Sequence, residues 1–219
     1  MTRQGSGTAR RAVAELRAYW EALRRGRLVP ARTDVNPRGI ERSLEYAFIL
    51  ERVAPGVARF RLAGTHLTDL MGMEVRGMPL GALFVPAGRQ RLADALETVF
   101  QGPAVAELSL AAETGIGKPP LAARLLLLPL KSDLGDITRA LGCLVAEGEI
   151  GRRPRRFAIS GAEMTPLSSE IPQLEPAPRD RAPCAPVAGL AEPPAPQIPD
   201  PAMTPELRRA LLRVVRAED

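Results

Sequence analysis

The stretch from Ala63 to Leu92 contains too many glycines and prolines for one long helix or strand. Within it, Leu67, Leu70 and Met71 recur at the spacing that is typical of a short helix. Gly72 is a candidate C-cap for that helix, because glycine adopts the left-handed conformation without a clash of Cβ. Short helices of this kind bury little apolar surface by themselves. The stretch therefore has to pack against another structure, and the flanking sequence predicts a sheet.

Strand-like segments flank this stretch on both sides. Residues 46–53 and 57–63 are joined by the turn dipeptide Pro55-Gly56 and predict a β-hairpin. In the second of these strands, the alternation of apolar and polar residues predicts that Phe60 and Leu62 face inward. The loops between the later strands are short, which favours antiparallel pairing. Those later strands are predicted at residues 104–113, 120–130 and 139–147.

A longer helix is predicted between the hairpin and the three later strands. Pro86 suits its first turn, and Gly102-Pro103 ends it. The order of elements is then two strands, short helices, a longer helix and three strands. The apolar stripe of the longer helix consists of Leu92, Ala95, Leu96, Val99 and Phe100.

The N-terminal segment predicts an amphipathic helix that begins near Thr8 and ends at Gly26. Two interpretations of its apolar stripe stay open, namely packing on the edge of the domain and pairing with a second copy in a homodimer. A nucleic-acid surface is a third interpretation, but the arginines of the helix lack interleaved aromatic residues. The residues predicted for an interaction through this helix are Val13, Leu16, Tyr19, Trp20 and Leu23.

The net positive charge and the prolines are each concentrated in particular parts of the chain. Residues 1–33 hold eight arginines against two glutamates, whereas the middle of the chain is close to neutral. Residues 162–205 contain twelve prolines and no periodic apolar pattern, a composition that predicts disorder. The predicted organisation is an N-terminal helix and connector (1–33), a central domain (34–150), a basic edge segment (151–161), a proline-rich disordered linker (162–205) and a short amphipathic helix (206–219).

The sequence offers little for catalysis or metal binding. Cys143 and Cys184 do not form a disulfide framework or a CxxC motif, and His66 is the only histidine. A single histidine excludes most catalytic triads and metal clusters. Residues 115–119 pair glycine with lysine but lack the spacing of a P-loop, so they predict a hairpin loop. No signal peptide or membrane span is evident, and we expect a cytoplasmic protein without a membrane contact.

The order of these motifs resembles the PAS domain, and specifically the short single-PAS-domain type of alphaproteobacteria that was once grouped as a domain of unknown function. The resemblance covers about residues 12–150. The central motif residues are Leu67, Leu70, Gly72, Glu74, Gly77, Leu80, Leu83, Pro86, Arg89 and Leu92; further matches are Trp20, Leu23, Arg24, Pro30, Arg32, Asp34 and Pro37, the segment Arg61-Leu62-Ala63-Gly64-Thr65, and Leu128-Pro129-Leu130.

The resemblance implies an α+β fold with a five-stranded antiparallel sheet, in the order 2-1-5-4-3, and short helices over one face. It also implies a small cavity between helices and sheet, although ordinary core packing explains the same apolar residues. Flavin and haem are not expected, because residues 68–80 contain no cysteine and residues 86–101 no histidine. The pocket candidates are Phe48, Phe60, Leu67, Met71, Leu92, Leu96, Leu108, Leu126 and Leu144.

The function that the resemblance implies is a non-catalytic sensory or regulatory module of bacterial signal transduction. Such a module binds a small apolar ligand or a protein partner, and a homodimer or a signalling partner is expected. One alternative is an interaction adaptor that holds no ligand. Another is a nucleic-acid-binding regulator acting through arginine-rich segments. The basic cluster Arg152, Arg153, Arg155 and Arg156 predicts a solvated run, with an anionic partner or a nucleotide second messenger as its alternatives.

Overall fold

The structure is a computed structural model that describes residues 5–167, with side chains from residue 7 onward. It contains three α-helices and six strands in this part of the chain, together with four short 3-10 turns. The helices are α1 (Gly5–Arg24), α2 (Thr65–Met71) and α3 (Arg89–Gln101), and the 3-10 turns span Arg32–Asp34, Pro37–Ser43, Leu80–Leu83 and Pro86–Gly88. The strands are β1 (Ala47–Ala54), β2 (Val57–Ala63), β3 (Ala104–Ala112), β4 (Ala122–Leu130), β5 (Arg139–Glu147) and β6 (Phe157–Pro166).

The strands form one antiparallel sheet in the order β2-β1-β5-β4-β3-β6. The predicted order of the first five strands is confirmed, and β6 adds a sixth strand beside β3. This strand continues to Pro166, so the boundary predicted at residue 161 is wrong by five residues. Backbone pairing with β3 holds β6 in place, and an edge strand tolerates a terminal proline. The rest of the predicted linker and the predicted helix at 206–219 lie outside the described residues.

The two faces of the sheet carry separate apolar clusters. On the inner face, α2, α3 and the 3-10 turns between them cover the sheet. On the outer face, α1 packs over β4 and β5. Leu126 belongs to the outer cluster, whereas its neighbours Leu125 and Leu127 belong to the inner one. The prediction that Leu126 lines an inner pocket is therefore wrong, because successive side chains of a strand point to opposite faces.

A β-bulge in the first hairpin changes which side chains of β2 face the core. Ile49 is paired with Leu62 and Leu50 with Phe60, so Arg61 is an extra residue without a partner in β1. An extra residue shifts the alternation of side chains beyond it to the other face. Phe60 is fully buried, as predicted, but Leu62 is 51% exposed. The prediction that Leu62 faces inward is wrong for this reason.

Glycine is required at two positions that shape the domain. Gly72 caps α2 with φ of 72°, which confirms the predicted left-handed C-cap. Gly142 in β5 lies beneath the ring of Phe48, and a Cβ atom placed there would be 2.4 Å from the ring. The aromatic ring of β1 therefore packs directly on the backbone of β5, which brings the inner cluster close to the sheet.

Candidate functional site

The predicted pocket region lies between the inner face of the sheet and the helices. Eight of the nine candidates meet there, and each is at most 5% exposed. The rings of Phe48 and Phe60 contact each other edge to face, with centroids 5.3 Å apart. A ligand in this region would have to displace side chains that already contact one another. The eight residues are Phe48, Phe60, Leu67, Met71, Leu92, Leu96, Leu108 and Leu144.

An apolar surface depression lies on the opposite face of the sheet. We call it the outer groove; its volume is about 430 Å³, and it lies where α1 does not cover β1 and β2. Leu44 is 45% exposed at this groove and Leu62 is 51% exposed. The β-bulge at Arg61 places Leu62 there. The apolar lining includes Val35, Ile40, Leu44, Ile49, Leu62 and Leu141.

A second depression, which we call the basic mouth, adjoins the outer groove. Its volume is about 360 Å³, and Arg32, Ile49 and Leu62 line both. Arg61 and Arg139 line the basic mouth as well, and both form ion pairs with the single carboxylate of Glu51. The side chain of Arg32 is half-buried and has neither an ion pair nor a hydrogen bond within residues 5–167. An apolar groove therefore ends at a cluster of guanidinium groups.

The elements described above match those of a known domain family. A family model described as a PAS domain matches residues 8–145, which is more than half of the chain. The chain belongs to the PAS domain family. A solved structure that it resembles is the light-state structure of the LOV domain of the blue-light photoreceptor Aureochrome1. The two chains share 14% identity with a TM-score of 0.37, and the match covers 51% of this chain and 88% of that one. No curated protein matches the chain.

The N-terminal helix of this PAS domain packs on its own sheet. Val13 is 5% exposed, and Leu16 and Trp20 are fully buried against the outer face. This is the first of the two interpretations of the apolar stripe. Pairing of two copies through the same stripe would require α1 to leave the sheet. Tyr19 and Leu23 are half-buried, and the Tyr19 hydroxyl donates to the carbonyl of Asn36 at 3.1 Å.

The single histidine of the chain has a structural contact. The Nε2 atom of His66 accepts a hydrogen bond from the backbone N–H of Ala146 at 3.1 Å, and its ring packs edge to face on Tyr46. Burial lowers the pKa of His66, while the nearby carboxylates of Glu45 and Asp69 act in the opposite direction. The accepting nitrogen has to be unprotonated, so this bond favours the neutral imidazole.

The described cysteine is also part of the packing. Cys143 is fully buried in the outer cluster, and burial raises the pKa of its thiol to about 12. A thiol of this kind stays protonated and is unreactive at neutral pH. Within residues 5–167, no three side chains of the metal-binding types lie together. None of the helices in that range has the length and apolar character that crossing a membrane requires.

The basic cluster at residues 152–156 is only partly solvated. Arg152, Arg153 and Arg156 are exposed, and Arg153 lies 3.6 Å from a carboxylate oxygen of Asp69. Arg155 is fully buried, so the prediction of a solvated run is wrong at this position. Its guanidinium donates to three backbone carbonyls, because the loop before β4 and the segment before β6 meet around it. The acceptors are Glu113, Pro119 and Ile150.

The residues that sequence reasoning missed are those of the outer groove. Leu44 lies just after a 3-10 turn, and Leu62 has the spacing of an inward strand residue. The sequence marks Arg32 only as a residue that matches the PAS type. The signal that was lacking is the bulge at Arg61, which the residue types around it do not encode.

Proposed function

We propose that this chain is a non-catalytic regulatory module of signal transduction that acts by binding at the outer face of its sheet. PAS domains are generally sensory or regulatory modules of this kind. The observation that carries the proposal is the contrast between the two faces. The candidate pocket residues of the inner region are at most 5% exposed, whereas the outer groove exposes two leucines beside a guanidinium cluster.

The side chains that support catalysis elsewhere are used for packing in this part of the chain. His66 accepts a backbone hydrogen bond, and Cys143 is buried with a raised pKa. Both facts argue against a catalytic role for these two side chains. The arginine-rich alternative has less support, because Arg155 is buried and Arg153 lies beside Asp69.

The test uses the full chain purified from its own host under native conditions. Leu62→Glu places a charge in the outer groove, and Met73→Glu is the matched control because Met73 is 53% exposed but does not line the groove. Native mass spectrometry and crosslinking in cells then compare both variants with the wild type. We expect a molecule, small or protein, that is retained by the wild type and by Met73→Glu. Its amount should fall at least about tenfold with Leu62→Glu.

A result that contradicts the proposal is a bound small molecule that all three proteins retain equally. That result would mean that the ligand does not bind in the outer groove. Equal retention of a protein partner by Leu62→Glu and Met73→Glu would also contradict the proposal, because the contact would then lie elsewhere on the surface.

A further inference from the structure

The outer groove and the basic mouth form one continuous depression with two chemical parts. Both parts are lined by Ile49, Leu62 and Arg32, which therefore lie where the two parts meet. The volumes of about 430 and 360 Å³ lie within the range of small-molecule sites, which is about 300–1,000 Å³. A concave depression of this size, apolar over most of its length and charged at one end, matches a ligand with the same two parts.

The charge of the basic mouth is positive after local pairing. Its guanidinium groups are those of Arg32, Arg61 and Arg139, and the neighbouring carboxylates are those of Glu51 and Asp133. Glu51 is shared by two of the arginines, and Asp133 is exposed at the rim.

Among the three arginines of the basic mouth, Arg32 is the one whose side chain has no ion pair or hydrogen bond within residues 5–167, and it is half-buried. Burying a charged group without a partner is unfavourable, so an anion beside Arg32 would be stabilised. Guanidinium groups bind carboxylate and phosphate oxygens through charge-assisted hydrogen bonds.

We propose that this depression binds a single-chain amphiphile with an anionic head group, and that the physiological ligand is a free fatty acid. The carboxylate would contact Arg32 in the basic mouth, and the alkyl chain would cover Leu44 and Leu62 in the outer groove. This inference rests on the proposed function, since it names the ligand class of the same outer face. A ligand bound there would lie on the outer face of the sheet, opposite the region between the helices and the sheet.

The shape of the site favours a small amphiphile over a protein. A protein partner or a second copy would contact a broad surface, whereas the exposed leucines here border a concave groove. A depression with one positively charged end and one apolar part matches a ligand that has a single anionic head group and an alkyl chain. An acidic partner helix, a second copy of the chain and an anionic membrane surface are the alternative occupants, and each of them predicts no saturable binding of free dodecanoate.

The experiment measures the binding of dodecanoate to the full chain by titration calorimetry, below the concentration at which dodecanoate forms micelles. We expect saturable binding of one molecule per chain. Dodecyltrimethylammonium has the same alkyl chain but a cationic head, and we expect it to bind at least about tenfold more weakly. Arg32→Ala should weaken dodecanoate binding about tenfold, and Leu62→Glu should weaken it more. Met73→Glu should leave it unchanged, and circular dichroism checks that each variant is folded.

Four results would overturn the inference. The first is the absence of saturable binding to the wild type, and the second is equal binding of the anionic and cationic probes. The third is equal weakening by Leu62→Glu and Met73→Glu. The fourth is binding to vesicles that contain anionic phospholipid with no binding of free dodecanoate. If the inference fails but Leu62→Glu still loses a protein partner from the host, the proposed function stands and only the ligand class is wrong.

Discussion

The indole Nε1 of Trp20 donates a hydrogen bond to the carbonyl oxygen of Pro129 across 2.9 Å, in the buried layer between α1 and the sheet. Trp20 is the only tryptophan of the chain and is fully buried. Proline has no N–H to offer a neighbouring strand, and here its carbonyl is satisfied by a side chain from α1. This contact fixes the position of α1 over β4, and therefore the part of the outer face that stays open.

Replacing Trp20 with phenylalanine tests this contact. Trp20→Phe keeps an aromatic ring but leaves the buried carbonyl of Pro129 without its donor, which costs about 1–3 kcal/mol in the free energy of unfolding. Urea unfolding followed by circular dichroism measures the change. Tyr19→Phe is the control, because its hydroxyl is hydrogen-bonded at an exposed position where water can replace it. Equal effects of the two substitutions would contradict a special role for the buried bond.

Substitution of two adjacent leucines tests which face of β4 packs in the inner cluster and which packs in the outer one. Leu125 and Leu126 are both fully buried, on the inner and outer face respectively. Truncation of either to alanine should lower the free energy of unfolding by about 2–5 kcal/mol. Only Leu126→Ala should shift the fluorescence emission of native Trp20, because the two residues share the outer cluster. A shift with Leu125→Ala alone would mean that the face assignment is wrong.

The same two leucines show how far sequence reasoning reaches. The order of the first five strands follows from the resemblance to PAS domains. In β5, Leu144 belongs to the inner cluster, as expected of a pocket candidate, and its neighbour Cys143 belongs to the outer one. The run from Leu125 to Leu128 is apolar on both faces, so it contains no contrast from which a face can be read. The position of Leu62 depends on a bulge, which is a property of backbone pairing between β1 and β2.

The end of β6 illustrates a second limit. Apart from Met164, which packs against the inner cluster, its later residues are small or polar, and its pairing with β3 depends on backbone groups, which any sequence supplies. Composition alone therefore placed these residues in the linker. The candidate site on the outer face is not predicted from the sequence for a related reason. It arises from the junction of the connector, the bulged hairpin and β5, which no local pattern describes.

His66 gives a pH dependence of stability that can be predicted in sign. Its pKa is lowered in the folded protein relative to the ordinary value of 6.5, so the unfolded chain binds more protons in this range. The contribution of His66 is therefore fully present above about pH 6.5 and is lost as the pH falls from 6.5 toward its lowered pKa. In His66→Gln the side chain keeps an acceptor but does not titrate. We expect the difference in unfolding free energy between wild type and variant to change between pH 7 and 5, with the wild type losing more; parallel curves would contradict this.

Glu97 gives the corresponding dependence for a carboxylate. It accepts from the backbone N–H of Gly56 at 2.7 Å and from the guanidinium of Arg52 at 2.8 Å, and these bonds lower its pKa below the ordinary value of 4.5. Its contribution is present above about pH 4.5 and is lost as the pH falls through the lowered pKa.

We expect Glu97→Gln to lower the free energy of unfolding by about 1 kcal/mol at pH 7, and the gap to wild type to narrow below pH 4.5. The exposed Asp94 lies on the same helix, and its Oδ1 accepts only from Gln90 in the described structure. Asp94→Asn should therefore have a smaller effect. A gap between wild type and Glu97→Gln that stays constant down to pH 3 would contradict the assigned role of the Glu97 carboxylate.

The central claim is that binding takes place on the outer face of the sheet and not between the helices and the sheet. Methyl NMR of leucine-labelled protein, titrated with dodecanoate, tests this most directly. The account predicts that the methyl signals of Leu44 and Leu62 shift with saturation, while those of Leu92 and Leu96 in the inner cluster stay in place. Saturable shifts of Leu92 and Leu96, with Leu44 and Leu62 unchanged, would contradict it.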